Sequence, residues 1–212
     1  MRLDKKSMIL YAITDRSWTM GSSLEEQVEE TLKGGATFLQ LREKSLSFDE
    51  FLGQAKVIKK LTDKYGIPFV INDNVEIAIE SNADGVHIGQ GDMSAREVRK
   101  LIGTDKILGV SANTVETAIL AEENGADYIG VGAVFKTNTK GDANLISMEV
   151  VKDICNAVSI PVVAIGGINE KTALKLKGSG VDGICVISAI FAKKNIYEAT
   201  KDLYNLAKEI IL

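Results

Sequence analysis

Four side chains in this sequence, Arg42, Lys44, Asp73 and Asp92, have the types and spacing for anion and metal chemistry. Gln40, Arg42 and Lys44 alternate along FLQLREK, so on an extended segment the three share one face. A guanidinium beside an ammonium suits a dianion or a diphosphate. Asp73 follows the apolar run Phe69-Val70-Ile71, and Asp92 follows Val86-His87-Ile88 and a Gly-Gln-Gly turn. Either aspartate alone is equally well read as turn chemistry. Two of them on neighbouring strand tips, opposite two cations, instead suit magnesium shared with substrate phosphates. Lys140, in TNTKGD, adds a cation, although a lone lysine in such a loop is usually only solvated. Gly166-Gly167 and Ser188 stand where a monophosphate can be held on backbone N–H groups, a simple tight turn being the plainer reading. His87, the sole histidine, is better read as a hydrogen-bonded core residue than as a base. No Ser-His-Asp set and no Cys/His metal cluster is present, which leaves proton abstraction and acyl transfer poorly supported; two anion sites beside a magnesium site point to chemistry with a diphosphate leaving group.

These residues need a scaffold that brings strand ends together. Phe69 to Asp92 reads as strand, short helix (Val75 to Ser81), turn (Asn82 to Gly85) and strand, a parallel crossover with polar tips. The rest of the chain repeats the unit. Strands are expected at Ile9–Ile13, Phe38–Arg42, Ile107–Ser111, Tyr128–Gly132, Val162–Ile165 and Gly183–Ile187. Helices are expected from Ser23 to Lys33, Phe48 to Tyr65, Ser94 to Leu101, Thr114 to Asn124, near Ser147, Thr172 to Ser179, and Ile196 to Ile211. A turn signal recurs before every even strand: Gly35-Ala36, Ala83-Asp84, Ala126-Asp127 and Val181-Asp182. Its copies lie about 45 to 55 residues apart, close to two strand–helix units. Eight such units predict a single-domain (β/α)₈ TIM barrel spanning residues 1–212. An open doubly wound sheet is the alternative, but it rarely shows a fourfold repeat. Barrels keep their sites at the carboxyl ends of the strands, the rim that carries all the polar residues above.

The net charge of −4, without a basic block, excludes a nucleic-acid footprint. With 45% hydrophobic and 25% charged residues the composition is that of a globular domain. Cys155 and Cys185 show no metal or redox spacing. The N-terminal segment resembles neither a signal peptide nor a membrane span, so a soluble, cytoplasmic protein without membrane partners is expected.

YAITD (11–15), QLREK (40–44), IND (71–73), ADGVHIGQGD (83–92), the loop Thr137 to Lys140, IGGI (165–168) and ISAI (187–190) together resemble the thiamine-phosphate synthase family over nearly the whole chain. The resemblance implies an enzyme that couples hydroxymethylpyrimidine diphosphate to hydroxyethylthiazole phosphate, with loss of pyrophosphate. By position it implies that Gln40, Leu41, Arg42, Glu43, Lys44, Asn72, Ser111 and Lys140 hold the pyrimidine diphosphate. Thr137, Thr139, Gly167, Ile187 and Ser188 fall to the thiazole phosphate side, Asn138 between them to substrate binding, and Asp73 and Asp92 to Mg²⁺. Arg42, Lys44, Lys140 and Ser111 are the expected catalytic groups, in a dissociative reaction where diphosphate leaves first. The partners implied are these two small molecules, with a homo-oligomer left open. Many members read Ser-Thr-His-Thr after strand five, where this chain has Ser111-Ala112-Asn113-Thr114, and Gly-Pro where it has Gly132-Ala133. A thiazole tautomerase relative or a non-catalytic regulatory paralogue would lack QLREK, the cations or the carboxylates, all of which are present.

Overall fold

In the computed structural model, which describes residues 3–19, 21–137 and 145–211, eight parallel strands close on themselves in sequence order. The strands are β1 (Leu10–Ile13), β2 (Phe38–Leu41), β3 (Phe69–Asn72), β4 (Gly85–Ile88), β5 (Ile107–Ser111), β6 (Tyr128–Val131), β7 (Val162–Ile165) and β8 (Gly183–Val186). The β1–β8 seam pairs Tyr11 with Cys185 and completes the barrel. The helices outside it are α1 (Leu24–Lys33), α2 (Phe48–Tyr65), α3 (Val75–Glu80), α4 (Ala95–Ile102), α5 (Val115–Glu123), α6 (Met148–Ala157), α7 (Ser188–Phe191) and α8 (Ile196–Ile211). The expected TIM barrel is therefore the architecture found.

Local chemistry explains the helix starts. Ser23, Ser47 and Ser94 each accept the N–H three residues on, while Glu26, Glu50 and Glu97 reach back to the cap backbone, three full capping boxes. The recurring turn before the even strands also has a physical job. Asp84, Asp127 and Asp182 accept the N–H groups of Phe69, Leu108 and Val162 at 2.9, 2.8 and 2.9 Å. Their own N–H groups donate to the carbonyls of the same three residues. Thr37 does this for Leu10 in the first copy, through its hydroxyl at 2.9 Å. Each odd strand is thus tied to the entry of the next even one, at the amino end of the barrel.

Two expectations are corrected. The helix predicted from Thr172 to Ser179 is only a 3₁₀ turn, Ala173–Leu176. The Thr172 hydroxyl accepts from the Asn169 N–H and donates to the Gly167 carbonyl instead of capping a helix. Gly178 and Gly180, at φ +76° and +89°, then turn the chain away. Ser188 to Phe191, read as a lead-in, forms the one-turn helix α7. Short 3₁₀ turns at Lys5–Met8 and Arg16–Trp18, capped by Asp4 and Asp15, were not signalled by periodicity.

Strand residues alternate between two cores. Leu39, Leu41, Ile71, Val86 and Ile88 pack outward against the helices, while Tyr11, Phe38, Val70, Tyr128 and Val163 fill the barrel interior. Inside, Tyr11 meets Phe38 and Tyr128 edge to face at 4.7 and 5.8 Å. Each such pair contributes about 0.5–1.5 kcal/mol beyond its buried area. The aromatic layer plugs the lower barrel and leaves the upper rim open. Among the described residues no helix is long and apolar enough to cross a membrane.

Candidate active site

A cavity of about 1280 Å³ opens at the carboxyl ends of the strands. Gln40, Arg42, Asn72, Ser111, Thr137, Gly167, Ile187 and Ser188 all line it, as their places on the strand tips require. The alternation along β2 decides which side chains enter. Gln40 and Arg42 face in; Leu41 is wholly buried in the outer layer. Glu43 also turns away from the cavity: its carboxylate accepts from Arg16 Nε at 3.1 and 3.2 Å, and Arg16 in turn donates to Gln54 of α2. With its side chain only 3% exposed, Glu43 ties the tip of β2 to the turn after β1. Leu41 and Glu43 can therefore offer a ligand their backbone only. Asn138, Thr139 and Lys140 lie outside the described residues.

Arg42 is seated by its own backbone N–H, which donates to the buried hydroxyl of Thr14 at 3.0 Å. Lys44 and Asp73 form an ion pair at 2.6 Å across the tips of β2 and β3. Partly exposed pairs of this kind contribute at most about 1 kcal/mol to folding. Asp73 itself adopts φ +64°, a left-handed conformation held by its N–H donating to the His87 carbonyl at 2.8 Å. Burial acts to raise the Asp73 carboxyl, but Lys44, with further hydrogen bonding from Asp92 and Asn72, holds it below the usual carboxylate range. Asp92 is steadied by the Gly89 N–H at 2.7 Å. Asp92 and Asp73 stand on neighbouring strand tips, near enough for Asp92 to act on the Asp73 carboxyl. Two ionised carboxylates so placed repel each other, which a bound cation would relieve. Among the described residues no group of three His, Cys, Asp or Glu side chains gathers as a metal cage. A two-carboxylate site with room for phosphate oxygens and water is the arrangement that magnesium accepts.

On the opposite rim, Gly166 and Gly167 have φ +99° and +67°, and they permit a close approach of another chain segment. A Cβ on Gly167 would lie 2.5 Å from the Lys136 carbonyl and 2.7 Å from that of Phe135. The loop after β6 is therefore packed directly on the tip of β7, which is more than a tight turn. Gly167→Val is expected to push residues 135–137 off this rim. Steady-state kinetics should then show a KM increase for a monophosphate substrate of tenfold or more, and a much smaller one for a diphosphate. Equal increases would mean general distortion of the barrel. Ser188 opens α7, a short extra helix after β8 of the sort that many barrels place beside a phosphate.

Sequence reasoning missed part of the lining. His87 faces the cavity, with Nδ1 2.9 Å from the Tyr128 hydroxyl and Nε2 3.0 Å from Ser111 Oγ. The parity of β4 held the signal, since His87 pairs in register with the inward-facing Asn72. Asp15, Trp18 and Asn113 also line the cavity, and the Gln90 amide donates to the Ser111 carbonyl at 2.5 Å.

Fold and site together define a (β/α)₈-barrel enzyme whose cleft, lined by Arg42 with the Lys44–Asp73 pair and Asp92 on the strand tips beside it and outside its lining, suits anionic ligands. A family model described as thiamine monophosphate synthase matches residues 10–190. Thiamine-phosphate synthases of Clostridium tetani and Clostridium acetobutylicum are 54% and 50% identical, each over 94% of this chain and 96% and 95% of their own. The thiamine phosphate pyrophosphorylase structure from Pyrococcus furiosus superposes with a TM-score of 0.90 at 38% identity, covering 98% of this chain and 99% of that one. The chain belongs to the thiamine-phosphate synthase family. A geranylgeranylglyceryl phosphate synthase from Thermoplasma acidophilum, at 16% identity and TM-score 0.68, shares the fold alone.

Proposed function

We infer that this enzyme joins hydroxymethylpyrimidine diphosphate to hydroxyethylthiazole phosphate, forming thiamine phosphate and releasing pyrophosphate. The carrying observation is the set Arg42, Lys44, Asp73 and Asp92 on adjacent strand tips, within a chain 54% identical to a thiamine-phosphate synthase. A tautomerase relative or a regulatory paralogue would not need that set. Formation of thiamine phosphate from the two precursors, with and without magnesium, tests the reading directly.

Gln40, Arg42, Lys44, Asn72 and Ser111 bind the pyrimidine diphosphate in this reading, with Lys140 joining them by family position. Leu41 and Glu43 contribute through their backbone. Thr137, Gly167, Ile187 and Ser188 receive the thiazole phosphate, with Thr139 on the same side by family position and Asn138 a substrate-binding residue of the same loop. Asp73 and Asp92 would hold Mg²⁺, which neutralises diphosphate charge when bound. With diphosphate and metal present, Lys44 can exchange its carboxylate partner for a phosphate oxygen on the same rim. None of the residues assigned to the reacting end is an evident nucleophile, so the protein supplies positioning and charge stabilisation. The C–O bond of the pyrimidine then breaks first, its electron pair leaving with the diphosphate, and the thiazole nitrogen attacks the resulting cation. Neither Cys155 nor Cys185 is in a disulfide, which suits a reducing cytoplasm.

Asp73→Ala and Asp92→Ala should each remove magnesium-dependent turnover at millimolar metal while leaving the free energy of unfolding within about 1 kcal/mol of the wild type, since both are rim residues outside the core. Magnesium titrations of turnover alongside urea unfolding check it. An unchanged magnesium dependence in both variants would remove the metal assignment.

A further inference from the structure

A continuous chain of polar side chains crosses the barrel interior at the floor of the cavity. Gln40 Nε2 donates to the Tyr11 hydroxyl at 2.5 Å, and that hydroxyl lies 2.8 Å from the Tyr128 hydroxyl. The Tyr128 hydroxyl is 2.9 Å from His87 Nδ1, and His87 Nε2 is 3.0 Å from Ser111 Oγ. Five strands contribute: β2, β1, β6, β4 and β5. Room for it comes from two glycines. A Cβ on Gly109 would fall 2.1 Å from Tyr128 Cζ, and one on Gly130 would press the His87 ring at 3.3 Å.

The chain has a direction. With its amide nitrogen toward Tyr11, Gln40 can only donate. The Tyr11 oxygen therefore accepts, and its own proton goes on to Tyr128. The Tyr128 O–H donates to His87 Nδ1, which must be the bare nitrogen. The imidazole proton is then on Nε2 and is donated to Ser111 Oγ. Reversed, the chain would put two donors on the Tyr11 oxygen and turn its proton away from Tyr128, in a buried layer where an unpaired hydroxyl is costly. Burial also keeps both phenols protonated, by raising each well above the usual tyrosine value.

We propose that Tyr11, Tyr128 and His87 are positioning residues that act through Ser111, holding its hydroxyl as a committed hydrogen-bond donor to the pyrimidine diphosphate. Because Ser111 Oγ already accepts from His87, its own proton is free to point into the cavity that it lines. A freely rotating serine would spend part of its time with the lone pairs toward the anion. The chain removes that choice before substrate arrives. The proposal rests on the assignment of Ser111 to the diphosphate substrate.

The single histidine allows a direct test, since an untagged protein labelled with ¹⁵N-histidine yields one imidazole. The Nε2–H tautomer, with unprotonated Nδ1, is expected in the wild type and is expected to weaken in Tyr128→Phe. Ser111→Ala should lower kcat/KM for the pyrimidine diphosphate about 10- to 100-fold, and Tyr128→Phe about 3- to 10-fold. In the double variant the Tyr128→Phe loss should vanish, because its route through the serine is gone. His87→Gln, which can still offer an N–H toward Ser111, should retain more activity than His87→Leu. An Nδ1–H tautomer, or losses that multiply independently, would overturn the proposal. A Ser111→Ala variant with unchanged kcat/KM would overturn it as well; an intact Nε2–H tautomer would then locate the error in the substrate assignment of Ser111 and not in the chain.

Discussion

Replacing Arg42 by alanine is expected to lower the single-turnover rate on the order of 10²–10³-fold, the typical loss of one charge-stabilising donor in a closed site. The side chain enters the cavity, but its backbone is held by Thr14 and its neighbours Leu41 and Glu43 are anchored outside the cavity. Truncation therefore removes the guanidinium without moving β2. In a dissociative reaction negative charge builds on the leaving diphosphate, so the loss should fall on kcat more than on KM. Arg42→Lys should recover part of the rate, because charge returns without the bidentate fork. A pyrimidine carrying an electron-withdrawing group in place of its methyl should slow the same step in wild type, by destabilising the cation. Rapid-quench measurement of the bond-breaking step decides both. Less than a tenfold loss in Arg42→Ala, or equal rates for normal and electron-poor pyrimidines with chemistry limiting, would exclude the charge-separated transition state.

Gly183→Ala should cost about 3 kcal/mol or more of folding stability, at or beyond the upper end of ordinary overpacking. Gly183 opens β8, and a Cβ there would lie 1.7 Å from the Met8 carbonyl oxygen. The obstacle is backbone at the end of the 3₁₀ turn that leads into β1, next to the point where the Ile184 N–H donates to the Ile9 carbonyl at 3.1 Å. It cannot swing aside without opening the β1–β8 seam. Against a total stability of about 5–15 kcal/mol such a loss is large. Gly178→Ala is the control, because nothing lies within 4 Å of its Cβ and only the left-handed backbone, at φ +76°, opposes it. That should cost about 1–2 kcal/mol. Urea unfolding of the two variants checks the difference. Midpoints within experimental error of each other would mean that the seam absorbs the extra carbon.

The local pattern of this sequence determined the elements and the parity of the strands. Short apolar runs between turn residues made strands, serines followed three residues later by glutamate made helix starts, and the recurring turn before each even strand marked every second unit. Alternation along FLQLREK was enough to put Gln40 and Arg42 on the cavity side and Leu41 on the other. All of this rests on interactions between residues a few positions apart, or on a period of two. What the tertiary structure decided is which tips meet. Lys44 pairs with Asp73, 29 positions away, and Glu43 turns outward because Arg16 waits there, 27 positions earlier. The Thr172 hydroxyl abandons a helix cap because the Gly167 carbonyl is within its reach. Tyr11 and Tyr128 are 117 positions apart, and neither carries any local sign that the other will be its partner. Closure of the sheet sets the level at which each inward side chain arrives, so contacts across the interior follow from the register of all eight strands together and not from any one of them.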